Sequence, residues 1–217
     1  EILENVAKYK EIYSEWSVNE KVAMDAAAGA AYSGRRSMVT TKQVGMNVLS
    51  DSLFYTAYTG AEAALVVISA DDPGLFSSQN EQDTRMVARA AMLPVLEPSD
   101  SEEAKEFVKI GFELSEQYDR PVIFRITTRL AHSQGLVELK ERIEIPDKPY
   151  EKNIRKNVMM PGNAKYRHVE IEKRNRELKA AAETLAINRV ELRDLKIGVI
   201  TSGIPYQYVR EALPEAS

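Results

Sequence analysis

Residues 65–68, Leu-Val-Val-Ile, form an unbroken apolar run that ends abruptly at Asp71-Asp72-Pro73-Gly74. Successive side chains of a β-strand point to opposite faces, so a strand that is apolar at every position needs cover on both. A parallel sheet between two helical layers supplies that cover. The run therefore predicts a strand over residues 63–70 and constrains everything around it.

The flanking sequence agrees. Residues 37–41 read as a strand, followed by a helix over 43–58 that opens with a Gly45-containing turn and is closed by Gly60. After the polar loop 71–83, a helix is expected over 82–91 and a short strand over 94–96. Ser99-Asp100-Ser101-Glu102-Glu103 is a strong helix start, with acids at the positive end of the helix dipole. Its apolar positions Ala104, Phe107, Val108, Phe112 and Leu114 carry that helix to about 118, and residues 121–127 form the next strand. Alternating strands and helices with short connections predict an α/β fold, a mostly parallel sheet with helices on both faces.

Upstream, Ile2, Leu3, Val6 and Tyr9 recur at helical spacing over residues 1–10. Residues 12–16 read as a short strand ending at the chain's single tryptophan, Trp16, expected in the core or an interface. Ser17-x-x-Glu20 matches a capping box at the head of a small-residue helix, Ala26-Ala27-Ala28-Gly29-Ala30-Ala31, that Ser33-Gly34 stops. A strand-to-helix junction of an α/β domain is the usual place for a ligand site. Two roles compete for Glu20. As a capping carboxylate it folds back on its own helix; as a functional one it points outward.

From residue 138 the texture changes. Pro146, Pro149 and Pro161 with many charges mark a linker, residues 165–189 a charged helix, and residues 196–203 the first strand of a new α/β unit whose helix starts near Tyr206. The expected division is 1–137, 138–194 and 195–217.

Composition narrows the chemistry. The 217 residues carry a net charge of -4, so no overall basic field points to nucleic acid. The absence of cysteine removes disulfides, thiolate metal sites, cluster ligation and thiol nucleophiles from this chain. No apolar run approaches the roughly 18 residues of a membrane span. The first residue is Glu, inside a helical pattern, which is the expectation for part of a longer chain. A cytoplasmic setting is expected.

The strings SVNEKVA (17–23), VGMN (44–47) and SSQNEQD (77–83), within the longer stretches 16–60, 65–85 and 96–133, resemble the large subunit of indolepyruvate ferredoxin oxidoreductases. These are thiamine-diphosphate enzymes of the 2-oxoacid:ferredoxin oxidoreductase superfamily; the pyruvate enzymes resemble the chain more weakly. The resemblance implies a pyrimidine-binding (PYR) domain lacking its first strand, with residues 195–217 opening a domain like the C-terminal one of transketolase. It implies that Glu20 hydrogen-bonds N1′ of the cofactor's aminopyrimidine and is the catalytic residue. Gly45, Met46 and Asn47 then lie beside that ring, and Lys42, Gln79 and Asn80 near the substrate. Magnesium and [4Fe–4S] clusters belong to other parts of such an enzyme. The implied partners are a second large subunit, a small (beta) subunit, ferredoxin and coenzyme A, with no nucleic acid and no membrane. The implied reaction is oxidative decarboxylation of an aryl 2-oxoacid to the acyl-CoA.

One departure bears on the substrate. Where the family's pyruvate enzymes carry an arginine for the substrate carboxylate, this chain has Asp71-Asp72, which favours an aryl pyruvate and leaves Lys42 or an outside residue to hold the carboxylate. Arg125, Arg129 and His132 sit at the end of the 121–127 strand, and a structural role is expected for His132 and a surface position for His168. The alternatives are the same chemistry on another 2-oxoacid, or a non-catalytic α/β module that binds a partner through its small-residue helix.

Overall fold

In the computed structural model, which describes all 217 residues, four strands form one parallel sheet: β1 (Ser37–Lys42), β2 (Leu65–Asp71), β3 (Val95–Leu96) and β4 (Val122–Thr127), in the order β1-β2-β4-β3. The apolar run sits at the centre. Val67 is in register with Val39 on one side and Ile123 on the other. Leu65, Val66, Val67 and Ile68 are all buried, each stabilising the fold by about 1.5–3 kcal/mol relative to exposure.

The sheet faces carry separate cores. Leu65, Val67 and Ile123 pack with Met24 and Ala28 of α2 (Glu20–Tyr32), Leu49 and Leu53 of α3 (Gln43–Thr59), and Ala88 of α4 (Thr84–Ala90). Val66, Ile68, Val122 and Phe124 pack with Phe107 and Leu114 of α5 (Ser101–Tyr118) on the other face. α5 begins where its sequence demands: Asp100 accepts from the Glu103 N–H at 2.9 Å, and the Glu103 carboxylate reaches back to the Ser99 N–H at 2.8 Å.

The N-terminal edge of the sheet is tied at Asp119, which closes α5 in the left-handed conformation. Its carboxylate accepts from the N–H groups of Ala61 and Glu62 at 2.9 and 3.1 Å, and from Lys156 and Arg174 at 2.9 Å each. A Cβ on Gly60 would stand 2.3 Å from Asp119 Oδ1, so this turn requires glycine. Burial works against the charge of Asp119, yet Lys156 and Arg174 hold its carboxyl below the usual carboxylate range. Beside it, the Arg120 guanidinium is fully buried with no hydrogen-bond partner on any of its three nitrogens. Burial, with repulsion from Arg174, brings its pKa down to about 10.

The remaining helices are peripheral: α1 (Ile2–Val6), α6 (Thr128–Ala131), α7 (Ile154–Asn157), α8 (Pro161–Ala182) and α9 (Pro205–Ala212). α8 docks onto α3, with Ile171 buried and Arg167 Nε donating to the Tyr58 carbonyl at 2.9 Å. The charged helix therefore starts and ends earlier than the 165–189 expected from its composition, because Pro161 at its first turn is pre-set for helix. His168 is half exposed, 3.1 Å from the Tyr58 hydroxyl. No helix is long and apolar enough to cross a membrane.

Two expected strands do not form. Residues 12–16 are irregular, and Trp16 is 75% exposed rather than in the core. Residues 196–203 do not join the sheet, and Ile200 is fully exposed; the backbone pairing nearby is an isolated bridge, Asp194 to Ala216, and the bonds of Ile197 and Val199 to Ser217. A strand needs a partner edge; residues 12–16 have none, and residues 197–199 pair only with Ser217 at the end of the chain, too short a partner to build a sheet.

Candidate functional site

The carboxyl ends of β1, β2 and β4 and the head of α2 converge at one edge of the sheet, where open parallel sheets bind ligands. α2 starts two residues later than the capping box requires. Its N-cap is Asn19, whose side chain accepts from the Val22 N–H at 3.0 Å, and Ser17 makes no side-chain hydrogen bond. Glu20 becomes the first helical residue, one turn position away from where it could reach back to Ser17. Its carboxylate accepts no hydrogen bond and pairs with no cation.

Instead it lies on the first turn of α3. The place a Cβ would occupy on Gly45 is 2.6 Å from Glu20 Oε1, 2.7 Å from Glu20 Cγ and 2.1 Å from Thr41 Oγ1. Gly45 is inside the helix rather than in a turn before it, and its missing side chain makes the seat for Glu20. The half-buried, unpaired carboxylate beside Thr41 is available to a donor arriving from solvent or a partner surface.

The next two residues bind the polar loop. Lys42 Nζ donates to the Ser77 carbonyl. Gln43, fully buried as the first residue of α3, donates through Nε2 to the Asn80 carbonyl at 3.0 Å and accepts the Asp72 N–H at 2.5 Å. Asp72 organises the loop from within. It accepts from the N–H groups of Phe76 and Ser77 at 3.3 and 2.7 Å, Ser78 Oγ at 2.6 Å and Thr128 Oγ1 at 2.7 Å. The Ser78 hydroxyl foremost, then Thr128 and the Ser77 N–H, bring its pKa down to about 2.

Asp71 is committed elsewhere. It is 1% exposed, accepts from Arg125 Nε at 2.6 Å and from the Thr84 N–H at 3.0 Å, while Arg125 also reaches Glu97. Both aspartates of the pair are thus structural: one pins β2 to β4 and α4, the other shapes the loop.

Of the residues singled out in the sequence, Glu20, Lys42 and Gly45 come together. Asn80 joins them through its backbone carbonyl, its side chain bonding Gln82 at 2.7 Å. Gln79 and Asn47 are exposed. Met46 is buried in the core with Met24 and Leu49, which turns its side chain away from the site. His132 is exposed at the end of α6. Sequence reasoning missed Thr41, Gln43 and the organising role of Asp72. The available signal was position: a glutamine directly after a strand and at a helix start is well placed to bond loop backbone.

The family described as "Pyruvate flavodoxin/ferredoxin oxidoreductase, thiamine diP-bdg" matches residues 2–189. The chain belongs to this family. Relatives that resemble it include the indolepyruvate oxidoreductase subunit IorA of Methanothermobacter thermautotrophicus, 46% identical over 98% of the chain and 35% of the relative. The IorA of Archaeoglobus fulgidus is 42% identical over 94% of the chain and 33% of the relative. The 2-oxoglutarate synthase subunit KorA of M. thermautotrophicus is 28% identical over 58% of the chain. The chain spans about a third of the length of these curated relatives. Among solved structures, the 2-oxoglutarate:ferredoxin oxidoreductase of Magnetococcus marinus shares the fold, with a TM-score of 0.67 and 21% identity over 91% of this chain and 42% of that one.

The donor set fits one end of the family's cofactor. A carboxylate without a partner, seated over a glycine at the sheet's carboxyl edge, suits a ring nitrogen that carries a proton. No group of three or more His, Asp or Glu side chains converges to hold a metal ion.

Proposed function

We propose that this chain is the pyrimidine-binding domain of the large subunit of an indolepyruvate-type ferredoxin oxidoreductase. The single observation that carries the reading is the Glu20 carboxylate, unpaired and aimed across Gly45 instead of folded onto its own helix. The similarity to IorA chains over nearly the whole length supports the aryl substrate.

Thiamine diphosphate, when bound, supplies the electron sink for loss of carbon dioxide from a 2-oxoacid. Glu20 holds the proton at N1′ of its aminopyrimidine; Thr41 and Gly45 fix the direction of the carboxylate, and the 72–80 loop, tied down by Lys42 and Gln43, covers the substrate side. Magnesium, the [4Fe–4S] clusters, and the sites for coenzyme A and ferredoxin are assigned to the remainder of the large subunit, to the small subunit and to a second copy of the large one, in the cytoplasm. Residues 1–137 form the pyrimidine-binding unit, 138–194 its connection and 195–217 the opening of the next unit.

The test uses the full-length large subunit assembled with its small subunit, coenzyme A and a low-potential acceptor. Indolepyruvate is expected to exceed pyruvate in kcat/KM by about tenfold or more, the scale of discrimination a pocket gives for apolar groups. Preference for pyruvate or 2-oxoglutarate would overturn the substrate class. Full turnover by Glu20→Gln would overturn the assignment of the site.

A further inference from the structure

The cations at the sheet's carboxyl edge are engaged, with one exception. Arg125 is buried between Asp71 and Glu97, Arg85 pairs with Asp83 at 2.8 Å, and the Lys42 ammonium donates to Ser77. Arg129 makes no side-chain hydrogen bond and no ion pair. Its guanidinium lies 5.6 Å from the centroid of the Phe76 ring, which is 65% exposed.

The pair is anchored from beneath. Thr128, the neighbour of Arg129, donates to Asp72 Oδ1, and Asp72 also receives the N–H of Phe76. One buried carboxylate therefore fixes both the helix that carries the cation and the loop that carries the ring. Ser77, next to Phe76, is tied by Lys42 to the end of β1, adjacent to Thr41 and the seat of Glu20.

We propose that Arg129 and Phe76 together read the substrate: the guanidinium takes the carboxylate of a 2-oxoacid, and the ring receives a flat aromatic side chain. This rests on the function proposed above. A guanidinium presents paired N–H donors that match a carboxylate, which an ammonium held by a carbonyl does not. The face of an exposed phenylalanine prefers an offset or edge-on aromatic partner. An arginine lying on that ring can turn toward a carboxylate, because a charge-assisted hydrogen bond outweighs an exposed cation–π contact. The pair thus selects for both ends of an aryl 2-oxoacid.

The experiment measures steady-state kinetics of the intact two-subunit enzyme with indolepyruvate, phenylpyruvate and pyruvate. Hydrogen exchange at C2 of bound thiamine diphosphate, without substrate, is followed in parallel. Arg129→Gln is expected to raise KM for all three acids by about 10- to 100-fold, as loss of a charged hydrogen bond does, with Arg129→Lys restoring part of it. Phe76→Ala is expected to raise KM for the two aryl acids by about tenfold, leaving that for pyruvate nearly unchanged. C2 exchange stays at the wild-type rate in each variant. Unchanged KM values in Arg129→Gln, or an equal rise for all three acids in Phe76→Ala, would overturn the proposal. So would slowed C2 exchange in either variant, which places the defect at the cofactor. Loss of the Glu20 assignment is seen separately, as normal exchange in Glu20→Gln.

Discussion

Glu20 lies across Gly45. The atom that any other residue would add at position 45 stands 2.6 Å from the Glu20 carboxylate and 2.1 Å from Thr41 Oγ1, too close for either to remain where it is. The glycine is therefore a positioning element for the glutamate, although neither residue touches the other through a hydrogen bond.

Gly45→Ala tests this. The added methyl overpacks the turn and costs about 1–3 kcal/mol in global stability, while better helix propensity returns at most about 1 kcal/mol. Glu20 swings away from its seat. Turnover of the intact enzyme is expected to fall by about 10²-fold, the scale of a misplaced catalytic group. Thermal melting and turnover, measured on the same preparation, separate the two effects; unaltered turnover would show that Glu20 does not need this seat.

Asp72 gives a pH dependence with a definite sign. Its pKa is lowered from 3.8 to about 2 by hydrogen bonds that exist only in the folded loop. A lowered folded pKa adds stability above the unfolded value and loses it as pH falls through the folded one. The loop contribution is therefore complete above about pH 4 and disappears toward pH 2. Replacing Asp72 with Asn is expected to flatten the melting temperature against pH in this window and to speed amide exchange at Phe76 and Ser77. Identical pH profiles for the two proteins would contradict the role given to Asp72.

The strands that were legible in the sequence are those covered on both faces. Leu65–Ile68 and Val122–Phe124 are apolar at every position because each lies between two strands and two helical layers. Residues 12–16 and 196–203 have comparable strand composition but no edge of the sheet beside them, and composition reports only fitness for a pleated, packed surface. The helix start at 17–20 misled by its chemistry. Ser17 and Asn19 are both good caps, and choosing Asn19 moves Glu20 from a capping position to one that faces Gly45. Asp71 and Asp72 look alike in sequence; the register that puts Ser69 opposite Arg125 hands Asp71 to the arginine, and the turn gives Asp72 to the loop.

Arg120 is a cost rather than a contact. Its guanidinium is buried without partners beside Arg174 and Arg167. Arg120→Met keeps the volume and removes the charge, and is expected to stabilise the domain by about 1–4 kcal/mol, as replacement of buried charge by packed apolar groups does. Chemical denaturation measures it; a lower midpoint would mean that the charge holds α8 in place.

The account depends most on what Glu20 does to the cofactor. The direct measurement is the rate of hydrogen exchange at C2 of thiamine diphosphate bound to the intact two-subunit enzyme, wild type against Glu20→Gln, with folding checked by melting. A positioned general acid–base group contributes about 10²–10⁴-fold, and exchange in the variant is expected to slow by that factor with the fold intact. Exchange at the wild-type rate in a folded, cofactor-loaded variant would contradict the account.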